Sequence, residues 1–217
     1  MRYLKLFESF SDIIEKFRNF NYRLKMMPFS EEDYIKITKN LNPNKFDSLG
    51  KYIGDYTKKN NIEYGEVNSS YSKLYVLNLI KMNIFPNENP KLCDLGCGYG
   101  TVVYFCNKMG YESIGVEKEI SLKEYHNKLG ISVIYDDLLN MDLSFLKNMD
   151  VVYLYRPIKD YNLSEKLMKL VYDNTKDDVI IYYTMSHIGT GSDLFDYFIR
   201  IKSIPYGGDD IYVKNLF

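Results

Sequence analysis

The sequence contains no alanine, no glutamine and no tryptophan, and it holds only three cysteines and two histidines among 217 residues. Without alanine, the helices must be built mainly from Leu, Lys, Glu and Met. The cysteines, Cys93, Cys97 and Cys106, form an odd and clustered set, which favours reduced thiols in a cytoplasm over a disulfide framework. A zinc site is not expected, because there are only two histidines and both lie far along the chain. We therefore expect a cytoplasmic protein without a metal site.

Long apolar runs and an excess of one charge are also missing. No run approaches the roughly 18–20 apolar residues of a membrane-spanning helix, and the amphipathic start lacks the apolar segment of a secretory signal. The 28 basic residues balance 29 acidic ones, which disfavours a DNA-coating or polybasic membrane-binding protein. With 46 % hydrophobic residues the chain has a globular composition. We expect no membrane partner and find no strong nucleic-acid signature.

The first part of the chain, residues 1–67, is predicted to form a helical N-terminal extension or cap. Apolar residues recur at steps of three or four from Leu4 to Phe20, which indicates an amphipathic helix. Such a helix packs on the main domain or serves as an arm for a partner. Ser30 and Asp33 predict a short capped helix over residues 30–40.

The second part, residues 68–217, is predicted to form an α/β domain in which short, β-branched apolar runs alternate with helical segments. Alternation of this kind gives a doubly wound, mostly parallel sheet with helices on both faces. The predicted strands cover residues 91–95, 112–117, 132–136, 149–155 and 178–184, and the predicted helices cover 70–82, 101–109, 121–129 and 163–173. The tail is predicted to contain a short helix near 192–198, followed by a hairpin of strands near 199–204 and 211–216.

The strongest motif is the run Asp94-Leu95-Gly96-Cys97-Gly98-Tyr99-Gly100, which follows a predicted strand and opens a predicted helix. Glycines at this place let the backbone turn tightly and approach a ligand closely. The G-x-G-x-G spacing differs from the G-x-G-x-x-G of pyrophosphate-binding folds. An acidic side chain before the loop would repel a pyrophosphate and suits a cationic ligand. We predict that Asp94, Gly96, Cys97, Gly98 and Gly100 bind a cofactor.

Acidic residues also follow the next two predicted strands. Glu117 ends the second strand, 23 residues after Asp94, and a carboxylate beside the glycine loop can accept two hydrogen bonds from a ribose diol. The run Asp136-Asp137-Leu138 follows the third strand, where a carboxylate can accept a hydrogen bond from an adenine amino group. Asp137 is the favoured acceptor because it lies further past the strand, although aspartate is also a common turn residue.

These three motifs together resemble those of the class I S-adenosylmethionine-dependent methyltransferases over roughly residues 68–217. DLGCGYG is similar to their first motif, GVE to their ribose-binding acidic position and DDL to their adenine-binding turn. The resemblance implies a seven-stranded sheet with the last strand antiparallel and with S-adenosylmethionine bound across the strand ends. Residues 1–60 lie outside it.

On the substrate side, the fourth strand leads into Tyr155-Arg156-Pro157. The [DN]-P-P-[YF] run of DNA-amino methyltransferases is absent here, which disfavours that substrate class. Tyr155 and Arg156 are predicted to face the transferred methyl group. Upstream, Tyr64-Gly65-Glu66 resembles a run near the cofactor of the non-SET histone-lysine methyltransferases, and this implies that Glu66 contacts the methionine end of the cofactor.

The two histidines receive different predictions. His126 lies in a charged helical segment and is expected at the surface. His187 follows the fifth strand, in a loop that faces the substrate in a fold of this kind, and it is a weak candidate for a general base.

The predicted function is methyl transfer from S-adenosylmethionine to an acceptor that the sequence does not identify, whether protein, small molecule or nucleic acid. One alternative is a non-catalytic S-adenosylmethionine-binding or scaffold subunit with the same fold. A Rossmann-type oxidoreductase is disfavoured by the glycine spacing.

Overall fold

The computed structural model describes residues 19, 21–25, 27, 70–155, 157–158, 160–184, 197–204 and 209–214. The helices are α1 (Ser70–Ile84), α2 (Thr101–Lys108), α3 (Lys123–Leu129) and α4 (Tyr161–Asn174), with two short 3-10 helices at Ile120–Leu122 and Ser144–Asn148. The strands are β1 (Lys91–Leu95), β2 (Glu112–Glu117), β3 (Ser132–Tyr135), β4 (Val151–Tyr155), β5 (Ile180–Thr184), β6 (Phe198–Ile204) and β7 (Asp209–Lys214).

The seven strands form one sheet in the order β3-β2-β1-β4-β5-β7-β6. The first five strands pair in parallel, whereas β7 is antiparallel to both β5 and β6. The reversal of strand order lies between β1 and β4, and ligands of such sheets bind outside the carboxyl ends of the strands at that point. The doubly wound sheet with an antiparallel end is confirmed.

Apolar residues cover both faces of the sheet. One cluster joins α1 and α2 to Tyr153, Tyr182 and Ile211, and the other joins α4 and the second 3-10 helix to Leu154 and Tyr183. Alternate residues of each strand serve opposite faces, which is why the strands read as nearly continuous apolar runs.

Part of the N-terminal segment packs on α1. Leu24 and Met27 are buried in the α1 cluster, and the Arg23 guanidinium donates to the backbone carbonyls of Asn83 and Ile84 at the end of α1. Residues 21–25 are helical. Apart from residue 19, the amphipathic helix predicted over 1–20 and the capped helix over 30–40 lie outside the described residues. The division into an extension at 1–67 and a domain at 68–217 stays a prediction.

The element boundaries differ from the predictions at several ends. The fourth strand begins at Val151 rather than 149, and the fifth at Ile180 rather than 178, while the last strand covers 209–214 rather than 211–216. The helix predicted near 192–198 is wrong at its last two residues, because Tyr197 lies in a turn and Phe198 already pairs with Lys214 in the β6–β7 ladder. The rest of that helix, before residue 197, lies outside the described residues.

Candidate cofactor site at the carboxyl ends of the strands

The glycine loop follows β1 directly and is tied to β2 by its backbone. The N–H groups of Gly96 and Cys97 both donate to the carbonyl of Val116, each at 2.9 Å. Gly96, Gly98 and Gly100 have φ angles of 83°, 52° and 69°, a region that other residues rarely adopt. The loop thus needs glycine for its conformation, as the motif predicted.

Space gives a second reason for glycine at two of these positions. A Cβ added to Gly96 would lie 2.8 Å from the Cβ of Pro157, in the segment that follows β4. A Cβ added to Gly100 would lie 2.1 Å from the Cδ1 of Ile131. The loop is therefore packed between the segments after β4 and before β3.

Glu117 is held at the end of β2 by two backbone donors. Its side chain is buried, its Oε2 accepts from the N–H of Gly98 at 2.8 Å, and its Oε1 accepts from the N–H of Glu119 at 2.8 Å. A carboxylate oxygen can accept more than one hydrogen bond. The acid is thus fixed against the glycine loop, in the place where the sequence predicts a ribose acceptor.

Asp94 is a buried acid beside the same loop. Its residue is 2 % exposed, and burial, with a smaller contribution from the charge of Glu117, raises the pKa of its carboxyl group to about 8. Within the described part of the chain, no residue donates a hydrogen bond to this carboxyl. Since an uncompensated buried acid is costly, the pair of acids makes this a favourable place for a cation.

Cys97 packs its side chain against α2, β2 and the residue before β3. The side chain is buried in a small cluster with Val103 and Ile131, and burial raises the pKa of the thiol well above its usual value. Gly115 on β2 makes room for it, because a Cβ there would lie 2.5 Å from the Cys97 sulfur. The side chain of Cys97 therefore has a packing role. Its N–H donates to the carbonyl of Val116 and its carbonyl accepts from the N–H of Gly100, and its predicted cofactor contact stays a prediction.

The turn after β3 uses its two aspartates differently. Asp137 accepts from the N–H of Leu139 at 3.0 Å and pairs with the Lys118 ammonium at 2.7 Å, and these contacts lower the pKa of its carboxyl group. Asp136 is exposed, and its Oδ1 accepts from the N–H of Asp137 at 2.7 Å. Leu138 is buried against the α4 side of the sheet. Asp137 was the favoured adenine acceptor, but both of its oxygens are already engaged in this structure.

His126 is not at the surface, so that prediction is wrong. The ring is 1 % exposed; its Nε2 lies 2.7 Å from the carbonyl oxygen of Gly98 and its Nδ1 lies 2.6 Å from the hydroxyl of Tyr135. A carbonyl can only accept, so Nε2 carries the proton, and in the neutral ring Nδ1 accepts from the Tyr135 hydroxyl. Burial lowers the pKa of His126, which favours this neutral form.

A sequence signal for the burial of His126 did exist. Leu122, Tyr125, His126 and Leu129 follow the i, i+3, i+4, i+7 pattern of a buried helix face. Leu122 and Tyr125 are indeed buried, and Leu129 is half-buried. The many charged residues between these positions make the buried helix face difficult to recognise in the sequence.

On the substrate side, Tyr155 ends β4 beside Thr184, the last residue of β5. Its half-buried ring lies 5.9 Å from the ammonium of Lys73, a buried residue of α1, a geometry suited to a cation–π contact. Arg156, Glu66 and His187 lie outside the described residues, so their predicted roles stay predictions.

The described residues include neither a metal-binding cluster nor a membrane-spanning helix. They contain no group of three or more acidic, histidine or cysteine side chains arranged to hold a metal ion. None of their helices has the length and apolarity needed to cross a membrane.

Comparison with known proteins gives matches to solved structures only. No family model matches the sequence, and no curated protein does. The PH0226 protein from Pyrococcus horikoshii OT3 matches with a TM-score of 0.50 and 18 % identity, over 66 % of this chain and 90 % of that one. A TehB-like SAM-dependent methyltransferase from Corynebacterium glutamicum matches with a TM-score of 0.49 and 13 % identity, over 80 % and 100 % of the two chains. At such identities the likeness concerns the fold alone.

The seven-stranded sheet, its antiparallel last strand and the glycine loop after β1 agree with what the sequence resemblance implied. The fold is that of the class I S-adenosylmethionine-dependent methyltransferases. The carboxyl ends of β1, β2 and β3 bring Asp94, the glycine loop, Glu117 and the Asp136–Leu138 turn to one edge of the sheet.

Proposed function

We propose that this chain is an S-adenosylmethionine-dependent methyltransferase. The observation that carries the proposal is the buried Glu117 carboxylate, which is bonded to the glycine loop at Gly98 and lies on the strand next to the buried Asp94. A ribose diol can bind to the first acid, and the positive charge near the methionine end of the cofactor suits the second.

The buried acid supports S-adenosylmethionine over a nicotinamide dinucleotide. A pyrophosphate brought to the glycine loop would be repelled by the Glu117 carboxylate and would further oppose ionisation of Asp94 on the neighbouring strand. A ligand that carries an ammonium and a sulfonium is instead attracted by Glu117 and favours the ionised form of Asp94. Asp136 is the more available acceptor for an adenine amino group, because Asp137 is engaged by Lys118 and Leu139.

In the proposed reaction the protein aligns an acceptor with the methyl group. S-adenosylmethionine supplies an already activated methyl group on its sulfonium. The chain's own part is to fix the ribose at Glu117, to favour positive charge at Asp94 and to orient the acceptor near Tyr155 and Arg156. Orientation alone can contribute up to about 7–11 kcal/mol to lowering a barrier.

Calorimetric titration tests the cofactor. S-adenosylmethionine and S-adenosylhomocysteine are expected to bind with micromolar affinity, and NAD is expected not to bind. Binding of NAD without binding of either adenosyl compound would reject the proposal.

A second experiment tests catalysis and finds the acceptor class. The purified chain is incubated with methyl-labelled S-adenosylmethionine and a bacterial lysate, which is then separated into protein, nucleic acid and small-molecule fractions. We expect label in one fraction, and expect it to disappear with the Glu117→Ala variant. Tight binding of the cofactor without labelling of any fraction would favour the alternative function, a non-catalytic S-adenosylmethionine-binding or scaffold subunit.

A further inference from the structure

The glycine loop is held from the side of α3 as well as from β2. Its Gly98 carbonyl oxygen is bonded to His126, and the Tyr99 ring packs edge-on against the Tyr125 ring with 5.5 Å between centroids. The same two residues of α3, Tyr125 and His126, are both buried. This helix thus fixes the middle of the loop by a hydrogen bond and an aromatic contact.

The contacts of His126 form a continuous series of hydrogen bonds across the site. The Tyr135 hydroxyl on β3 donates to Nδ1 of His126, and Nε2–H of His126 donates to the Gly98 carbonyl. The Gly98 N–H in turn donates to Glu117, which also accepts from the Glu119 N–H. The carbonyl of Gly98 is therefore bonded to the buried side chain of His126, and its N–H is bonded to the buried side chain of Glu117.

This arrangement sets the direction of the next peptide group. In a trans peptide the C=O and N–H bonds point in opposite directions. Because the Gly98 carbonyl points to His126, the N–H of Tyr99 points away from α3. The orientation of the loop's backbone donors thus depends on the histidine, and a positive φ of 52° at Gly98 shows that the residue sits in the region where only glycine turns this freely.

We propose that His126, supported by Tyr135, is a positioning residue that holds the glycine loop in the shape that binds the adenosyl cofactor. The proposal rests on the proposed function for the identity of the cofactor. Charged neighbours contribute little to this role of His126. The groups that face its ring are the Tyr135 hydroxyl from β3, the Gly98 carbonyl from the loop and, further away, the Glu117 carboxylate from β2. The role requires the donor at Nε2, which the neutral ring supplies.

Three variants and one control test it. His126→Leu removes both hydrogen bonds, His126→Gln retains an amide donor at about the distance of Nε2, and Tyr135→Phe removes only the donor to Nδ1. Thr175→Val is the control, because it removes a buried hydrogen bond to the Val171 carbonyl at 2.8 Å on α4, away from the loop.

Affinity for S-adenosylhomocysteine is the first measurement. We expect His126→Leu to weaken binding at least tenfold, His126→Gln to recover most of that loss, and Tyr135→Phe to weaken binding by a few-fold. Thr175→Val is expected to bind as the wild type does. If His126→Leu does not fold, Tyr135→Phe decides, since Tyr135 is only half-buried. A few-fold loss of affinity in this variant would then support the inference, and wild-type affinity would overturn it.

Amide hydrogen exchange in the ligand-free protein is the second measurement, over the peptide that contains residues 96–100. We expect faster exchange in His126→Leu and no change in Thr175→Val. Wild-type affinity and wild-type exchange in His126→Leu would overturn the inference, and so would a loss that His126→Gln does not rescue. If the wild type itself failed to bind the adenosyl compound, the proposed function would fall, and the exchange result alone would decide whether His126 restrains the loop.

Discussion

The charge of Glu117 opposes ionisation of the buried Asp94 on the neighbouring strand. Together with burial, it raises the pKa of Asp94 to about 8, far above the value near 3.9 of an exposed aspartate. An acid that is kept protonated at neutral pH by its surroundings is a common feature of functional sites. It also makes the stability of the ligand-free protein depend on pH.

The first prediction concerns that dependence. Between about pH 4 and pH 8 the folded chain holds a proton on Asp94 that the unfolded chain has lost, so the contribution of this group to stability falls as the pH rises. Asp94→Asn removes the effect. We expect its melting temperature, relative to the wild type, to increase from pH 5 to pH 8. Glu88→Gln, at an exposed turn, serves as the control. If the melting temperatures of Asp94→Asn and the wild type instead depend on pH in the same way across this range, Asp94 is ionised in the folded protein.

The second prediction links the same proton to binding. A cation that binds beside Asp94 favours its charged form, so binding of S-adenosylmethionine at pH 7 should release a proton from this residue. Calorimetry in two buffers with different ionisation enthalpies measures the release. We expect Asp94→Asn to release less and to bind more weakly. Equal proton release in both proteins would place the cation elsewhere.

The third prediction concerns Glu117. Its two oxygens accept from Gly98 and Glu119, and a glutamine can offer only one acceptor oxygen to these donors and to a ribose. We expect Glu117→Gln and Glu117→Ala to lower cofactor affinity at least tenfold while the protein still folds. Glu112→Gln is the matched control, because Glu112 is exposed at the other end of the same strand. Unchanged affinity in folded Glu117→Gln would show that the carboxylate does not bind the ribose.

The fourth prediction compares alanine substitutions at two glycines that have similar backbone conformations but different surroundings. Gly100 and Gly130 have φ angles of 69° and 65°, but an added Cβ would meet Ile131 at Gly100 and nothing within 4 Å at Gly130. A residue with a Cβ costs roughly 1–2 kcal/mol in this conformation. We expect both alanine variants to lower the melting temperature, with the larger drop for Gly100→Ala. Only Gly100→Ala is expected to weaken cofactor binding as well. A loss of binding in Gly130→Ala would indicate that strain in α3 reaches the site by another route.

Much of the sheet could be predicted because its strands carry a local signal. KLCDL and VVYLY are short, largely apolar runs between turn residues. The glycines after Asp94 predict a tight loop from the local sequence alone. The predictions failed at ends and contacts that depend on tertiary structure. Phe198 pairs in a ladder with Lys214, sixteen residues later, and no helical pattern could reveal that.

In the candidate site, too, some residues could be located from local sequence and others depend on tertiary contacts. Asp94 and Glu117 could be located from their positions after strands, since parallel strands bring their carboxyl ends to one edge. The bond between His126 and Gly98 joins residues 28 positions apart and depends on how α3 packs. The engagement of Asp137 by Lys118 likewise depends on two turns that meet only in the fold.

The last prediction concerns the substrate edge at Tyr155. The residue ends β4 next to Thr184, and its ring lies 5.9 Å from the buried Lys73 ammonium. Tyr155→Phe keeps the ring and removes the hydroxyl, whereas Tyr155→Ala removes both. If the ring positions the acceptor, Tyr155→Ala should slow formation of S-adenosylhomocysteine more than tenfold, and Tyr155→Phe should retain most of the rate. Cofactor affinity should stay within about twofold in both, because the predicted adenosyl contacts lie on the other side of β1. Tyr161→Ala, at a partly exposed position at the start of α4, controls for loss of a surface tyrosine. A parallel loss of cofactor affinity, turnover and melting temperature in Tyr155→Ala would instead mark Tyr155 as a packing residue against Lys73.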